Sequence, residues 1–313
     1  MKKTETCKTS RSWRVIKALV RIYLGVLVLG WFVSDSLLFQ PPAPDYGEGG
    51  VYRRISVNGQ ERIGMLALTN AAAKYVLLYA HGNAEDLGPG LRDYLNEFCA
   101  HGFEVYAFDC RGYGISDGKP GAGRACEDAE AAYQHLVRDL KIPPERIVLY
   151  GHSLGAALAL DLAAHHRTAG LIVESGFVTA FRVLTHVPLF PVDKFRNNRR
   201  ICEIQSPVLI LHGVLDDTIP CWHGRELFRL APEPKFAYWA EAASHNDVRA
   251  SNESEYWKRM QDFVASLAST EPAPSPATAR ARRSTLPNNA ADEPRSHVTS
   301  APQSLHLINN GNL

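Results

Sequence analysis

Arg146-Ile147-Val148-Leu149-Tyr150-Gly151-His152-Ser153-Leu154-Gly155-Ala156-Ala157 is the stretch that decides the fold. An apolar run of strand length leads into Gly-x-Ser-x-Gly, and an Ala- and Leu-rich stretch follows as far as His165. This reads as a strand, a tight turn and a helix, with Ser153 raised at the apex. A serine at such an apex adopts a strained backbone conformation. The flanking glycines, Gly151 and Gly155, are needed because a Cβ at either position would collide with the neighbouring strand or helix. The five-residue pattern recurs by chance, so it is the strand-turn-helix setting that makes it specific. Ser153 is therefore the expected nucleophile.

A serine hydroxyl is a poor nucleophile at neutral pH and needs a base within hydrogen-bond reach, itself oriented by an acid. Both partners are expected in loops that follow strands, on the sheet edge where the serine emerges. Asp216 follows the apolar run Pro207–His212 within His212-Gly213-Val214-Leu215-Asp216-Asp217-Thr218-Ile219-Pro220. His245 follows the last such run, within Ala243-Ser244-His245-Asn246-Asp247. The order Ser, Asp, His is the one this elbow demands. Asp217 competes for the acid, with Asp216 preferred on its offset from His212-Gly213, and Glu174 at another strand end stands third. Of twelve histidines, His245 is the one placed in a post-strand loop after the acid.

A tetrahedral intermediate also needs donors aimed at its oxyanion. The backbone N–H of Leu154, at a helix start, is one; the N–H of Asn83, in His81-Gly82-Asn83-Ala84, is the other. His81 is expected to support that loop, and His152 to be a neighbour of the nucleophile rather than a second base. Asp109-Cys110-Arg111-Gly112-Tyr113-Gly114-Ile115-Ser116 lacks the Lys-Ser/Thr of a nucleotide-binding loop and reads as a structural turn beside the site.

Outward from the elbow, apolar runs at Tyr75–Ala80, Phe103–Asp109, Leu171–Glu174, Val208–His212 and Phe236–Ala240 alternate with helical stretches such as Leu91–Ala100 and Ala125–Asp139. Val51–Ser56 and Arg62–Leu68 flank Asn58-Gly59, a hairpin signal. The pattern predicts an α/β fold, with a mostly parallel eight-stranded sheet, helices on both faces and a short cap in the Phe-containing segment from Ser175 to Ser206. A last helix is expected over Glu253–Leu267. The expected division is a basic amino terminus with an anchor helix over 1–40, a Pro-rich linker over 41–50, the catalytic domain over 51–268, and a disordered tail over 269–313.

The 313 residues are 45% hydrophobic and nearly balanced in charge, with 34 Lys and Arg against 33 Asp and Glu. That balance argues against a nucleic-acid partner, which needs a basic surplus gathered on one face. Ile22–Val33 is uncharged and flanked by Lys17 and Arg21, so Ala18–Phe39 is expected to cross a membrane as an uncleaved anchor. The basic flank would keep the amino terminus cytoplasmic and the catalytic domain on the opposite side. A cleaved signal peptide and a helix packed on the domain are the rival readings. The six cysteines, Cys7, Cys99, Cys110, Cys126, Cys202 and Cys221, form no CxxC pair, so no metal site is expected. Their spacing leaves any disulfide unassigned.

Together, His81-Gly82-Asn83-Ala84-Glu85-Asp86-Leu87-Gly88, the Asp109–Ser116 turn, the elbow, His212-Gly213-x-x-Asp216-x-x-Ile219-Pro220 and His245-Asn246-Asp247 resemble the α/β-hydrolase superfamily. The similarity covers roughly residues 50–268. The nearest branch contains membrane-associated hydrolase-domain proteins, including protein depalmitoylases, and serine-aminopeptidase-like hydrolases. The resemblance implies hydrolysis of an acyl ester, a thioester or, less commonly, an amide through an acyl-enzyme without a cofactor. It also implies a small-molecule or lipid-like acyl substrate. A catalytically silent domain used as a binding module is the alternative from another class.

Overall fold

The computed structural model describes residues 9–185 and 193–269. In chain order the principal elements are α1 (Thr9–Leu38), β1 (Tyr52–Ser56), β2 (Arg62–Leu68), β3 (Tyr75–Ala80), α2 (Pro89–Ala100), β4 (Phe103–Phe108), α3 (Ala122–Gln134), β5 (Ile147–His152), α4 (Leu154–His165) and β6 (Gly170–Glu174). After them come α5 (Ala180–Thr185), α6 (Asn197–Arg200), β7 (Val208–Gly213), α7 (Trp222–Leu230), β8 (Lys235–Ala240), α8 (Val248–Ser251) and α9 (Glu253–Ser269). Thr270–Leu313, where disorder is expected, lies outside the described residues, as do Cys7 and Phe190.

The eight strands form one sheet in the order β1-β2-β4-β3-β5-β6-β7-β8. The first two pairings, β1 with β2 and β2 with β4, are antiparallel, and the remaining pairings are parallel. Strands β3, β5, β6 and β7 are buried along their whole length. A parallel strand covered on both faces has no solvent side to supply polar residues, which is why these runs are continuously apolar and not alternating. One apolar layer packs around α3 and α4, with Leu136, Leu149, Leu158 and Leu160 inside it. The other packs around α2 and α9, with Leu95, Phe98, Tyr256 and Phe263. The Asn58-Gly59 turn is wider than a two-residue hairpin: Gly59 has φ 82°, Asn58 Oδ1 accepts the N–H groups of Gln60 and Glu61, and Val57 N–H reaches Glu61 O at 3.0 Å.

The membrane-spanning anchor expected over Ala18–Phe39 is overturned, and the topology built on it falls with it. No helix among the described residues is long and apolar enough to cross a membrane. At 1.5 Å per residue the uncharged run Ile22–Val33 extends about 18 Å, against a hydrocarbon core of about 30 Å. The far end of α1 is engaged with protein. Asp35 accepts a hydrogen bond from Ala122 N–H at 3.2 Å and pairs with Lys194 Nζ at 2.7 Å, while Ser34 and Phe39 are buried. The helix therefore gives no support for a bilayer as partner. The segment after it is fastened too: Tyr46 hydroxyl hydrogen-bonds the Asp109 carboxylate, and the Tyr46 and Tyr52 rings lie 4.5 Å apart. Cys99, Cys110, Cys126, Cys202 and Cys221 are free thiols.

Candidate active site

The turn between β5 and α4 holds Ser153 at φ 54°, ψ −114°. Such a positive φ is costly for a residue with a side chain and persists only where the surroundings enforce it. They do so here through contact with the adjacent backbone. A Cβ at Gly155 would lie within 3.0 Å of the Ala80 and His81 carbonyl groups, and one at Gly151 would meet the Gly155 and Ala156 backbone as closely. The two glycines let α4 start directly against the ends of β3 and β5, which pushes the serine outward.

Ser153 Oγ lies 2.9 Å from His245 Nε2, and His245 Nδ1 lies 2.8 Å from Asp216 Oδ2. A carboxylate only accepts hydrogen bonds, so Nδ1 carries the ring proton and Nε2 presents its lone pair to the serine hydroxyl. Strands β5 and β7 and the loop after β8 all deliver these residues at the carboxyl ends of parallel strands, which brings together groups 92 and 29 positions apart in sequence.

The competitors for the acid separate cleanly. Asp217 is exposed, whereas Asp216 is buried, its second oxygen accepting the N–H groups of Thr218 at 3.0 Å and Ile219 at 2.7 Å. Burial opposes its charge, but hydrogen bonds from His212, His245 and the Ile219 N–H together hold its carboxyl well below the usual range. Glu174 sits at the end of β6, hydrogen-bonded by the Tyr150 hydroxyl, and burial pushes it up to about 8. At neutral pH it is largely protonated, the opposite of what an orienting carboxylate requires.

The loop carrying Asn83 is fixed from several sides. Tyr113 hydroxyl donates to the Asn83 carbonyl at 2.8 Å, Gln40 N–H donates to Asn83 Oδ1 at 2.8 Å, and Glu85 Oε2 accepts Gly82 N–H at 2.8 Å. His81 Nε2 stands 3.0 Å from Asp109 Oδ1, in ionic contact without hydrogen-bond alignment, and its Nδ1 is 2.7 Å from the Gly82 carbonyl. The Asp109–Ser116 turn thus supports this loop through Asp109 and Tyr113. Leu154 N–H belongs to the first turn of α4, where a helix leaves its leading N–H groups without internal partners. Leu154 and Asn83 line the same cavity as Ser153, of about 450 Å³. The His152 ring lies beside that of His245, with centroids 5.5 Å apart and its Nε2 3.4 Å from the His245 carbonyl oxygen. Its Nδ1 is 3.7 Å from Glu85 Oε2, whose carboxyl is opposed by burial but held down at about 2 by the His152 ring.

Three supporting residues escaped the sequence reading. His212 Nε2 lies 3.3 Å from Asp216 Oδ2 and 2.8 Å from the Ile219 carbonyl. Ser175 hydroxyl donates to the His245 carbonyl at 3.0 Å. Gln40 comes from the segment after α1. The four-residue spacing of His212 and Asp216 is the one trace of these contacts in the sequence; the other two are long-range. Among the described residues no group of three His, Cys, Asp or Glu side chains could hold a metal ion.

A mostly parallel eight-stranded sheet with a serine on a strained strand-to-helix turn defines the α/β-hydrolase class. The model of the alpha/beta hydrolase family matches residues 77–303, and the chain belongs to that family. It is 37% identical over 195 residues to human alpha/beta hydrolase domain-containing protein 17B, covering 62% of this chain and 67% of that one. It is 32% identical over 208 residues to protein 17C of Xenopus laevis, covering 64% and 65%. Among solved structures, an esterase of Pyrococcus furiosus superposes with TM-score 0.61 at 16% identity, over 73% of this chain and 98% of that one. An esterase from a Rhodococcus species gives 0.54 at 19% identity, over 70% and 100%. At such identities the likeness is one of fold alone.

Proposed function

We propose that this hydrolase is a serine hydrolase that cleaves acyl esters or thioesters through a covalent acyl-enzyme, with Ser153 as nucleophile, His245 as base and Asp216 as the acid that orients it. The observation that carries the reading is the continuous relay from Asp216 Oδ2 through His245 to Ser153 Oγ, at 2.8 Å and 2.9 Å. As Ser153 Oγ bonds to the acyl carbon, its proton passes to His245 Nε2, and Asp216 stabilises the imidazolium that forms. The negative charge moves to the carbonyl oxygen, within reach of the N–H groups of Asn83 and Leu154. The tetrahedral intermediate collapses, the bond to the leaving oxygen or sulfur breaks, and His245 returns its proton to that atom. Water then repeats the sequence on the acyl-serine and releases the acid.

The apolar walls of the cavity suit a lipid-like acyl group, and the resemblance to depalmitoylases favours oxygen or sulfur as the leaving atom. A fluorophosphonate probe should label the protein on Ser153. Labelling that survives Ser153→Ala would remove the serine-hydrolase reading, and hydrolysis of p-nitrophenyl acetate that survives His245→Ala would remove the base.

A further inference from the structure

The cavity beside Ser153 is built partly from the amino-terminal helix. Ser34, Leu37 and Leu38, in the last turns of α1, line it together with Ala180, Phe181 and Val183 of α5. These two apolar walls are separated by more than 140 positions in sequence, so something must hold them in register. Asp35 does this from the same helical turn. Its Oδ1 is 2.7 Å from Lys194 Nζ and accepts Ala122 N–H, the first residue of α3, at 3.2 Å. The Lys194 side chain is buried to 7% exposure against the Trp31 ring, 5.0 Å from its centroid, while Asp35 keeps one side open to solvent, so the lysine is the withdrawn half of the ion pair.

Lys194 in turn is joined to α5. Its carbonyl accepts Ala180 N–H at 3.0 Å, and the Asp193 carboxylate caps Phe181 N–H at 2.9 Å. A continuous set of bonds therefore runs from Asp35 on α1 through Lys194 and Asp193 to the residues that line the cavity. Just past the helix, Gln40 N–H is bonded to Asn83 Oδ1, so the same segment also touches the candidate oxyanion loop.

We propose that the last turns of α1 form one wall of the acyl-chain site, that Leu37 and Leu38 with Phe181 select long apolar acyl groups, and that Asp35 is a positioning residue holding that wall through Lys194. This rests on the acyl-hydrolase reading and names the residues that set its chain-length preference. Leu37 is 58% exposed while lining the cavity, so it stands where the cavity meets solvent and a larger side chain there narrows the entrance without disturbing the core. A short acyl group needs only the region around Ser153; a long one must lie along Leu37.

The test is the ratio of kcat/KM for p-nitrophenyl dodecanoate to that for p-nitrophenyl acetate in the full chain, together with binding of cis-parinaric acid, a fluorescent fatty acid, to the Ser153→Ala protein. Leu37→Trp should lower the ratio about tenfold or more, since a few methylenes gained or lost in an apolar site are worth about that much, and should weaken parinaric acid binding in the Ser153→Ala background. Asp35→Asn should lower the ratio severalfold, with Asp35→Glu recovering part of it. A ratio and a fatty-acid affinity left unchanged by both Leu37→Trp and Asp35→Asn would overturn the proposal. If fluorophosphonate labelling of Ser153 fails while parinaric acid binding still depends on Leu37, the hydrolase reading falls and the acyl site stands; labelling without that dependence gives the reverse.

Discussion

His212 and His245 converge on one oxygen of Asp216: His212 Nε2 lies 3.3 Å from the same Oδ2 that accepts from His245 Nδ1 at 2.8 Å. The carboxylate is thus held by two imidazoles, with the Thr218 and Ile219 N–H groups on its other oxygen. These contacts favour its ionised form and orient it towards His245.

Asp216→Asn keeps the shape and removes the charge, so His245 loses the partner that sets its tautomer. kcat on p-nitrophenyl acetate should fall by about 10⁴, the scale seen when a triad carboxylate becomes an amide. Because burial is outweighed and the folded carboxyl is held low, its contribution to stability is present above the unfolded value of about 4 and is lost as pH falls further. The difference in Tm between the two proteins should therefore be largest near neutral pH and narrow in acid. A difference that stays constant with pH would contradict this.

Gly155→Ala should be harmful although alanine is the better helix former by about 1 kcal/mol. The new methyl would press on the backbone of Ala80 and His81, neither of which can yield without moving β3. Tm should drop and fluorophosphonate labelling should be lost. A variant of wild-type stability and labelling would show that the elbow is less tightly packed than the close approach of α4 and β3 requires.

Tyr113→Phe removes the donor to the Asn83 carbonyl at 2.8 Å while leaving the buried ring in place. If the Asn83 N–H stabilises the oxyanion, kcat should fall about tenfold with a smaller change in KM, because the loss is felt mainly in the transition state. A rise in KM at constant kcat would place the tyrosine's effect on binding instead.

Glu174→Gln tests the buried carboxyl of β6. Its folded value is raised to about 8, so the stability it contributes is complete below the unfolded value of about 4.3 and lost as pH rises through about 8. The Tm of the wild type should decline between about pH 5 and 9 more steeply than that of Glu174→Gln, with the two closest in acid. Parallel curves would mean that Glu174 does not carry this titration.

The strand runs were legible because parallel strands buried on both faces leave a local signature, an uninterrupted apolar run closed by a turn. The elbow was legible because its constraint is local too: strand, glycine, serine, glycine, helix. The candidate acid was read as Asp216 ahead of Asp217, with Glu174 third; the first two are adjacent residues in opposite environments, and burial of Asp216 against exposure of Asp217 agrees with that order. The misreading of α1 has the same origin in reverse. An apolar run beside basic residues looks alike whether lipid or protein meets its end, and the Asp35–Lys194 pair, 159 positions apart, has no local trace.

Sequence alone determined the α/β architecture and offered Ser153, Asp216 and His245 as site candidates, because each is written in short-range periodicity and turn chemistry. Only the tertiary structure decided that His212 flanks Asp216, that Tyr113 and Gln40 brace Asn83, and that the last turns of α1 line the cavity. Those contacts join distant segments through single side chains, and their energies depend on burial and direction, neither of which the linear chain records.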